Sequence, residues 1–235
     1  KPFLYLPKLS GFDVVQIMSP FIPKARLFPH LIFYSLLCRL NKKFFLLASG
    51  SDAYFWRYGR QSLKYGPFKD SLKYDFKSKH YYLEKKSSYV YNKRIVNLSN
   101  GVIPIMYEYE VSYKNCDKKL NTIPLPMNTN SIKYQENIVK NKLVVFHGLN
   151  RYGFKGTKYV EEAFKVLNNK YPNDLELIID GKMPLSKYLK VMKRANIVID
   201  QVNTYSIGMN GLYALAMGKI VVGGAEPESL DSIGV

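Results

Sequence analysis

LVVFHGLNRYGFKGTKYVEEAFKVLNNKY, residues 143–171, decides the fold. It opens with an apolar run of strand length, LVVFHG, passes through a glycine-containing basic loop, and enters a stretch with apolar residues at helical spacing. Val160, Ala163, Phe164 and Leu167 fall at i, i+3, i+4 and i+7, which predicts a helix with one apolar stripe. Thr157 is the expected N-cap and Pro172 the stop. The same grammar continues to the end of the chain: LELIIDG, PLSKYLKVMKRA, NIVIDQ, MNGLYALAMG and KIVVGG alternate strand and helix. Near-continuous apolar strands separated by helices predict a parallel sheet covered on both faces, a Rossmann-like α/β domain.

Upstream the grammar is looser. FDVVQIM (12–18) reads as a strand, PHLIFYSLLCRL (29–40) as a helix with Pro29 near its start, and KKFFLLASGSD (42–52) as a strand ending in a small-residue loop. Residues 57–86, rich in Lys, Tyr and Ser with weak periodicity, read as a loop or mobile excursion. After RIVNLSNGVIPIMY comes another strand candidate, NTIPLP (121–126), and then the polar stretch NTNSIKYQENIVKNK (128–142), which reads as an interdomain linker. The expected organisation is two Rossmann-like α/β domains facing a cleft, over residues 1–138 and 139–235. The opening KPFLYLPK and the closing SLDSIGV both read as cut from a longer α/β chain.

Of 235 residues, 47% are hydrophobic and 23% charged, which fits folded domains and excludes a disordered chain. The charge-free apolar stretch LIFYSLLC (31–38) falls far short of the roughly 20 residues that span a bilayer. The net charge of +17 is uneven: residues 1–140 hold 23 Lys/Arg against 9 Asp/Glu, and residues 141–235 hold 12 against 9. A basic first half attracts acidic glycans, anionic lipid headgroups or nucleic acid. No recognised nucleic-acid module accompanies it, which places nucleic acid last. Two cysteines, Cys38 and Cys116, make no disulfide framework, so a cytoplasmic setting is expected, with the basic half placing the protein at the inner face of the membrane.

Ligands of open parallel sheets sit at the carboxyl ends of the strands. The loop HGLNRYGFKGT carries Arg151 and Lys155 just before a helix start, where unpaired N–H groups and the dipole favour an anion. It is not a P-loop, because Phe154 separates Gly153 from Lys155 and Gly156 separates Lys155 from Thr157; no GxGxxG follows a strand either. The later loop DQVNTYSIGMNGLYALAMG offers Gly208 for close backbone approach and a second helix start near Met209. Tyr205, Ser206, Asn210 and Tyr213 add hydroxyl and amide groups suited to sugar and ribose hydroxyls. Asp52 is a candidate polar contact from the first half. His147, ending a strand, reads either as facing the cleft or as a hydrogen-bonded structural residue. No DxD motif and no His/Cys/carboxylate cluster of metal spacing occurs, so no metal site and no cofactor is assigned.

HGLNRYGFKGTKYVEEAF (147–164), ANIVIDQ (195–201) and GLYALAMGKIVV (211–222) together resemble the donor-binding domain of the group 1 (family 4) glycosyltransferases of the GT-B fold. The resemblance covers about 90 residues well and the first half loosely. It implies that Arg151 and Lys155 bind a donor pyrophosphate and that the reaction is metal-independent sugar transfer from a nucleoside diphosphate sugar to a glycan or lipid-linked acceptor, with anomeric retention. Two departures stand out. Tyr205 and Tyr213 occupy the places of the family's two glutamates, eight positions apart, and Ser49 stands where relatives often carry a histidine before Gly-Ser-Asp. The missing glutamates leave a catalytically silent nucleotide- or carbohydrate-binding module as the alternative.

Overall fold

The computed structural model describes residues 2–21, 29–74 and 79–235. They divide into two units. The first comprises 2–21, 29–64, 79–125 and 228–235, and the second 65–74 and 126–227.

In the first unit, β1 (Val14–Ile17), β2 (Lys43–Ala48) and β3 (Gly101–Pro104) form a parallel sheet in the order β1-β2-β3. The helix Pro29–Arg39 begins at its proline, whose missing N–H is no loss in a first turn. Phe33, Tyr34 and Leu37 from this helix pack with Phe44 of β2 and Ile95 of the helix Lys86–Leu98. RIVNLSNGVIPIMY therefore contains the end of a helix and then β3. NTIPLP forms no strand. The chain does run beside β3, with Val102 N–H donating to Lys118 O, Leu120 N–H to Val102 O and Ile123 N–H to Pro104 O. Pro124 and Pro126 lack the donors that would extend the ladder.

Residues 57–86 are not a loop where they are described; residues 75–78 lie outside the described residues. A π-helical turn, Phe55–Gly59, runs into the turn Arg60–Ser62, followed by a helix at Phe68–Tyr74 and a 3₁₀ segment at Lys79–Glu84. Phe55, Trp56, Phe68 and Leu83 anchor these pieces by burial. The first and last of these turns depart from 3.6 residues and the α-helical pieces between them are short, so the apolar anchors carry no sustained helical period.

In the second unit, β4 (Leu143–Gly148), β5 (Leu175–Asp180), β6 (Ile197–Ile199) and β7 (Ile220–Val222) form a parallel sheet in the order β5-β4-β6-β7. Val145 faces the helix Thr157–Lys170 through Val160 and Phe164. Val144 and Phe146 face the other way, onto Met192, Ala195, Ala214 and Met217. Three layers result, as the alternation along β4 requires. Ala163, expected in the helix stripe, is exposed; Val160, Phe164 and Leu167 carry the contact. The chain goes from β4 to β5 in one direction with its helix on one face, then reverses to β6 and β7 with the helices Leu185–Arg194 and Met209–Ala216 on the other. Right-handed crossovers force that change of face, and the reversal puts a topological switch point between β4 and β6.

The polar stretch 128–142 is tied to the second unit. Asn137 and Asn196 exchange hydrogen bonds, and Gln135 N–H donates to Met217 O.

Candidate functional site

The loops leaving β4 and β6 meet at the switch point. After β4, residues 149–156 end in Gly156, whose φ of +74° places it in the left-handed region. A side chain there would also strike Val202, since a Cβ would stand 2.4 Å from its Cγ2. Gly156, not Thr157, is thus the helix N-cap. The Thr157 hydroxyl instead lies 3.0 Å from His147 Nε2, while His147 Nδ1 lies 2.9 Å from Ile199 O. A carbonyl only accepts, so Nδ1 carries the proton and Nε2 accepts from the threonine. Burial pushes the His147 pKa below its ordinary value, which keeps the ring neutral. His147 is a structural clamp between β4, β6 and the Thr157–Lys170 helix.

Asp200, just past β6, is the hub. Its Oδ1 takes Lys155 Nζ at 3.2 Å and its Oδ2 takes Gly208 N–H at 2.8 Å, with side-chain exposures of 12% for Lys155 and 2% for Asp200. The first bond is a buried ion pair joining the two loops. The second satisfies an amide at the start of the helix Met209–Ala216, for which Gly208 is the N-cap. Any side chain at Gly208 would place its Cβ 2.8 Å from Asp200 Oδ2. Val202 N–H donating to Lys155 O ties the loops again. An ammonium has three donors. Asp200 takes one and holds the group at the switch point.

Arg151 is exposed at the rim, its guanidinium carbon 3.6 Å from the Phe154 ring centroid, so the cation is held over its own loop. Ser206 is buried, and its carbonyl accepts from Gln201 and Thr204. Tyr205 is buried with its ring 5.4 Å from Tyr65. Met209 and Asn210, in the first turn of their helix, are half-buried, and Tyr213, one turn on, is exposed. Lys155, Ser206, Gly208, Met209 and Asn210 are therefore brought to one end of the sheet, with Arg151 at its rim.

The segment 65–74 comes from far away in sequence and lies on these loops. Tyr65 meets Tyr205, Asp70 accepts from Asn203 Nδ2 at 3.0 Å, and Tyr74 meets Tyr152 edge-on. Beneath Tyr65 a small cavity of about 140 Å³ is lined by Thr204, Gly223, Gly224 and Glu226.

Asp52 belongs to the first unit and is closed in. It is 1% exposed; Oδ1 accepts Phe55 N–H at 2.8 Å and Oδ2 accepts the Tyr113 hydroxyl at 2.6 Å. Tyr113 stacks on Tyr54 and receives a bond from Asn92. Burial raises the Asp52 pKa to about 6, against which the Tyr113 and backbone bonds work. The carboxylate caps the turns that follow it, and the structure gives it no face toward a ligand.

Sequence reasoning passed over Asp200 as a site residue. The available signal was an acid ending NIVID beside a lysine-bearing loop.

Among the described residues no group of three or more His, Cys, Asp or Glu is placed to hold a metal ion, and no helix is long and apolar enough to cross a membrane. Cys38 and Cys116 are free.

No protein-family model and no curated protein matches the chain. Solved structures with a similar fold include sucrose-phosphate synthase from Thermosynechococcus elongatus, at 13% identity and a TM-score of 0.41, over 95% of this chain and 75% of that one. A likeness that distant informs on neither substrate nor residues.

Proposed function

We propose that the chain binds a nucleoside diphosphate sugar at the β4/β6 switch point and transfers the sugar to a glycan or lipid-linked acceptor, as a GT-B glycosyltransferase of the group 1 (family 4) type. The observation that carries the reading is the junction itself. A lysine is fixed by Asp200 between the loops that open two helices, with Arg151 at the rim. Developing charge on a departing diphosphate is stabilised by preorganised donors of this kind, without proton transfer to the protein and, in this reading, without a metal. Retention of anomeric configuration follows from the resemblance alone. The basic excess of the first half suits an acidic acceptor or an anionic membrane surface at the cytoplasmic face.

Titration with a panel of nucleoside diphosphates tests the reading. Charge-assisted phosphate contacts contribute about 1.5–3 kcal/mol, so Arg151→Ala weakens binding roughly 10- to 100-fold with the fold intact. Unchanged affinity in that variant sinks the assignment. Tyr205 and Tyr213 in place of two glutamates favour a second reading, a silent binding module. Tight diphosphate binding without donor turnover, across acceptors, selects it.

A further inference from the structure

The opposite end of the second unit's sheet carries a separate feature. A groove of about 800 Å³ opens at the amino-terminal ends of the strands, beside Val144, Glu176, Asn196 and Lys219. The segment 135–142 forms one wall and is fixed there: Asn196 Oδ1 accepts Val144 N–H, its Nδ2 donates to Asn137 Oδ1, and Gln135 N–H donates to Met217 O. Six cations line the groove, Lys140, Lys142, Lys190, Lys193, Arg194 and Lys219, against two acids, Glu136 and Glu176. Arg194 takes Glu176 with two bonds, at 2.7 and 3.2 Å, so that acid neutralises none of the lysines.

Lys219 distinguishes this groove from a solvated basic face. The residue is 6% exposed, yet its ammonium makes one bond, 2.8 Å to Lys193 O, and no carboxylate of the described residues pairs with it. Lys155, in the same unit, shows the contrasting arrangement of a buried lysine matched to an aspartate. Burial pulls the Lys219 pKa below its ordinary value, a desolvation cost left without a counter-charge. Its place at the carboxyl end of the Leu185–Arg194 helix, where the dipole favours a cation, accounts for the bond to Lys193 O. It does not account for the lysines lining the same groove from the 135–142 wall and from that helix.

We propose that this groove is a second anion site, taking a soluble ligand with several phosphate groups, with Lys219 as its buried anchor and Lys190 and Lys193 as exposed contacts. Its concavity suits a compact polyanion better than a flat membrane. The site lies at the opposite end of the sheet from the switch point and does not depend on the sugar-transfer reading.

Calorimetric titration of the full chain with inorganic tripolyphosphate tests the proposal, alongside uridine diphosphate as a probe of the switch point. Lys219→Gln weakens tripolyphosphate binding at least about tenfold, as does the paired exposed variant Lys190→Gln with Lys193→Gln, and both leave uridine diphosphate affinity unchanged. The exposed pair carries the test if Lys219→Gln fails to fold. The proposal is overturned if neither variant changes tripolyphosphate affinity, if tripolyphosphate does not bind at low salt, or if anionic vesicles bind this face while tripolyphosphate does not. Loss of uridine diphosphate binding in Arg151→Ala, with tripolyphosphate binding retained, separates the two sites.

Discussion

Each unit places an aspartate just past a parallel strand, and each aspartate accepts an amide at the start of the next helical turn. The surroundings then diverge. Asp52 is enclosed by Tyr113, Asn92 and Tyr54, and its proton affinity rises. Asp200 is met by Lys155 and spans two loops. Strand order explains why one position became structural and the other became a junction. The first sheet runs β1-β2-β3 without reversal, whereas the second reverses between β4 and β6 and leaves two loops splayed around a gap that residues 155 and 200 bridge. An aspartate in the loop after a parallel strand therefore does different work in the two units.

The strongest way to break this comparison is to remove the acid from the junction. Asp200→Ala strands the Lys155 ammonium and an amide, and is expected to cost about 3–5 kcal/mol in urea unfolding. At pH 5, where burial keeps Asp52 largely protonated, Asp52→Asn should cost far less, because asparagine caps a helical turn as aspartate does. A loss below about 1 kcal/mol for Asp200→Ala means that the pair is no more than a surface contact.

A pH comparison sharpens the contrast. Asp52 is raised from 3.8 to about 6 in the folded state. Between those values the unfolded chain has released its proton and the folded chain has not, so stability of the first unit falls as pH rises, by about 3 kcal/mol in all, and levels above pH 6. His147 has the opposite sign. Its folded pKa lies below the ordinary value near 6.5, so its contribution is present above that value and is lost as pH falls. Hydrogen exchange of β2 and β4 amides at pH 5 and 7, corrected for intrinsic rates, should show β2 better protected at pH 5 and β4 at pH 7. Asp52→Asn should flatten the β2 response; parallel responses in both strands refute the assignment.

The smallest effect concerns Gly208. Alanine there pushes against Asp200 Oδ2, and about 1–3 kcal/mol of destabilisation is expected, together with weaker diphosphate binding. A neutral outcome in both measurements shows that the loop yields.

The second unit was legible because its strands are near-continuous apolar runs, with β4 buried on both faces, and its helices keep one period; LVVFHG and LELIIDG admit little else. The 57–86 stretch was not, since its order comes from π and 3₁₀ turns and α-helical pieces of at most seven residues, anchored by Phe55, Trp56, Phe68 and Leu83, too short for periodicity to detect. NTIPLP misled through apolar residues that prolines keep out of a ladder. At the site, the basic loop and the glycine before Met209 could be read from type and position. The Lys155–Asp200 pair could not, because strand order, not sequence spacing, brings together residues 45 positions apart. Nor could the closing of Asp52, which depends on Tyr113, 61 positions away.

The most direct measurement is a crystal structure of the chain soaked with a nucleoside diphosphate. The diphosphate is expected between residues 149–156 and 201–208, with oxygens within hydrogen-bond distance of Lys155 Nζ and the Arg151 guanidinium. A diphosphate bound elsewhere, or an undisturbed junction at saturating ligand, contradicts the placement of the site.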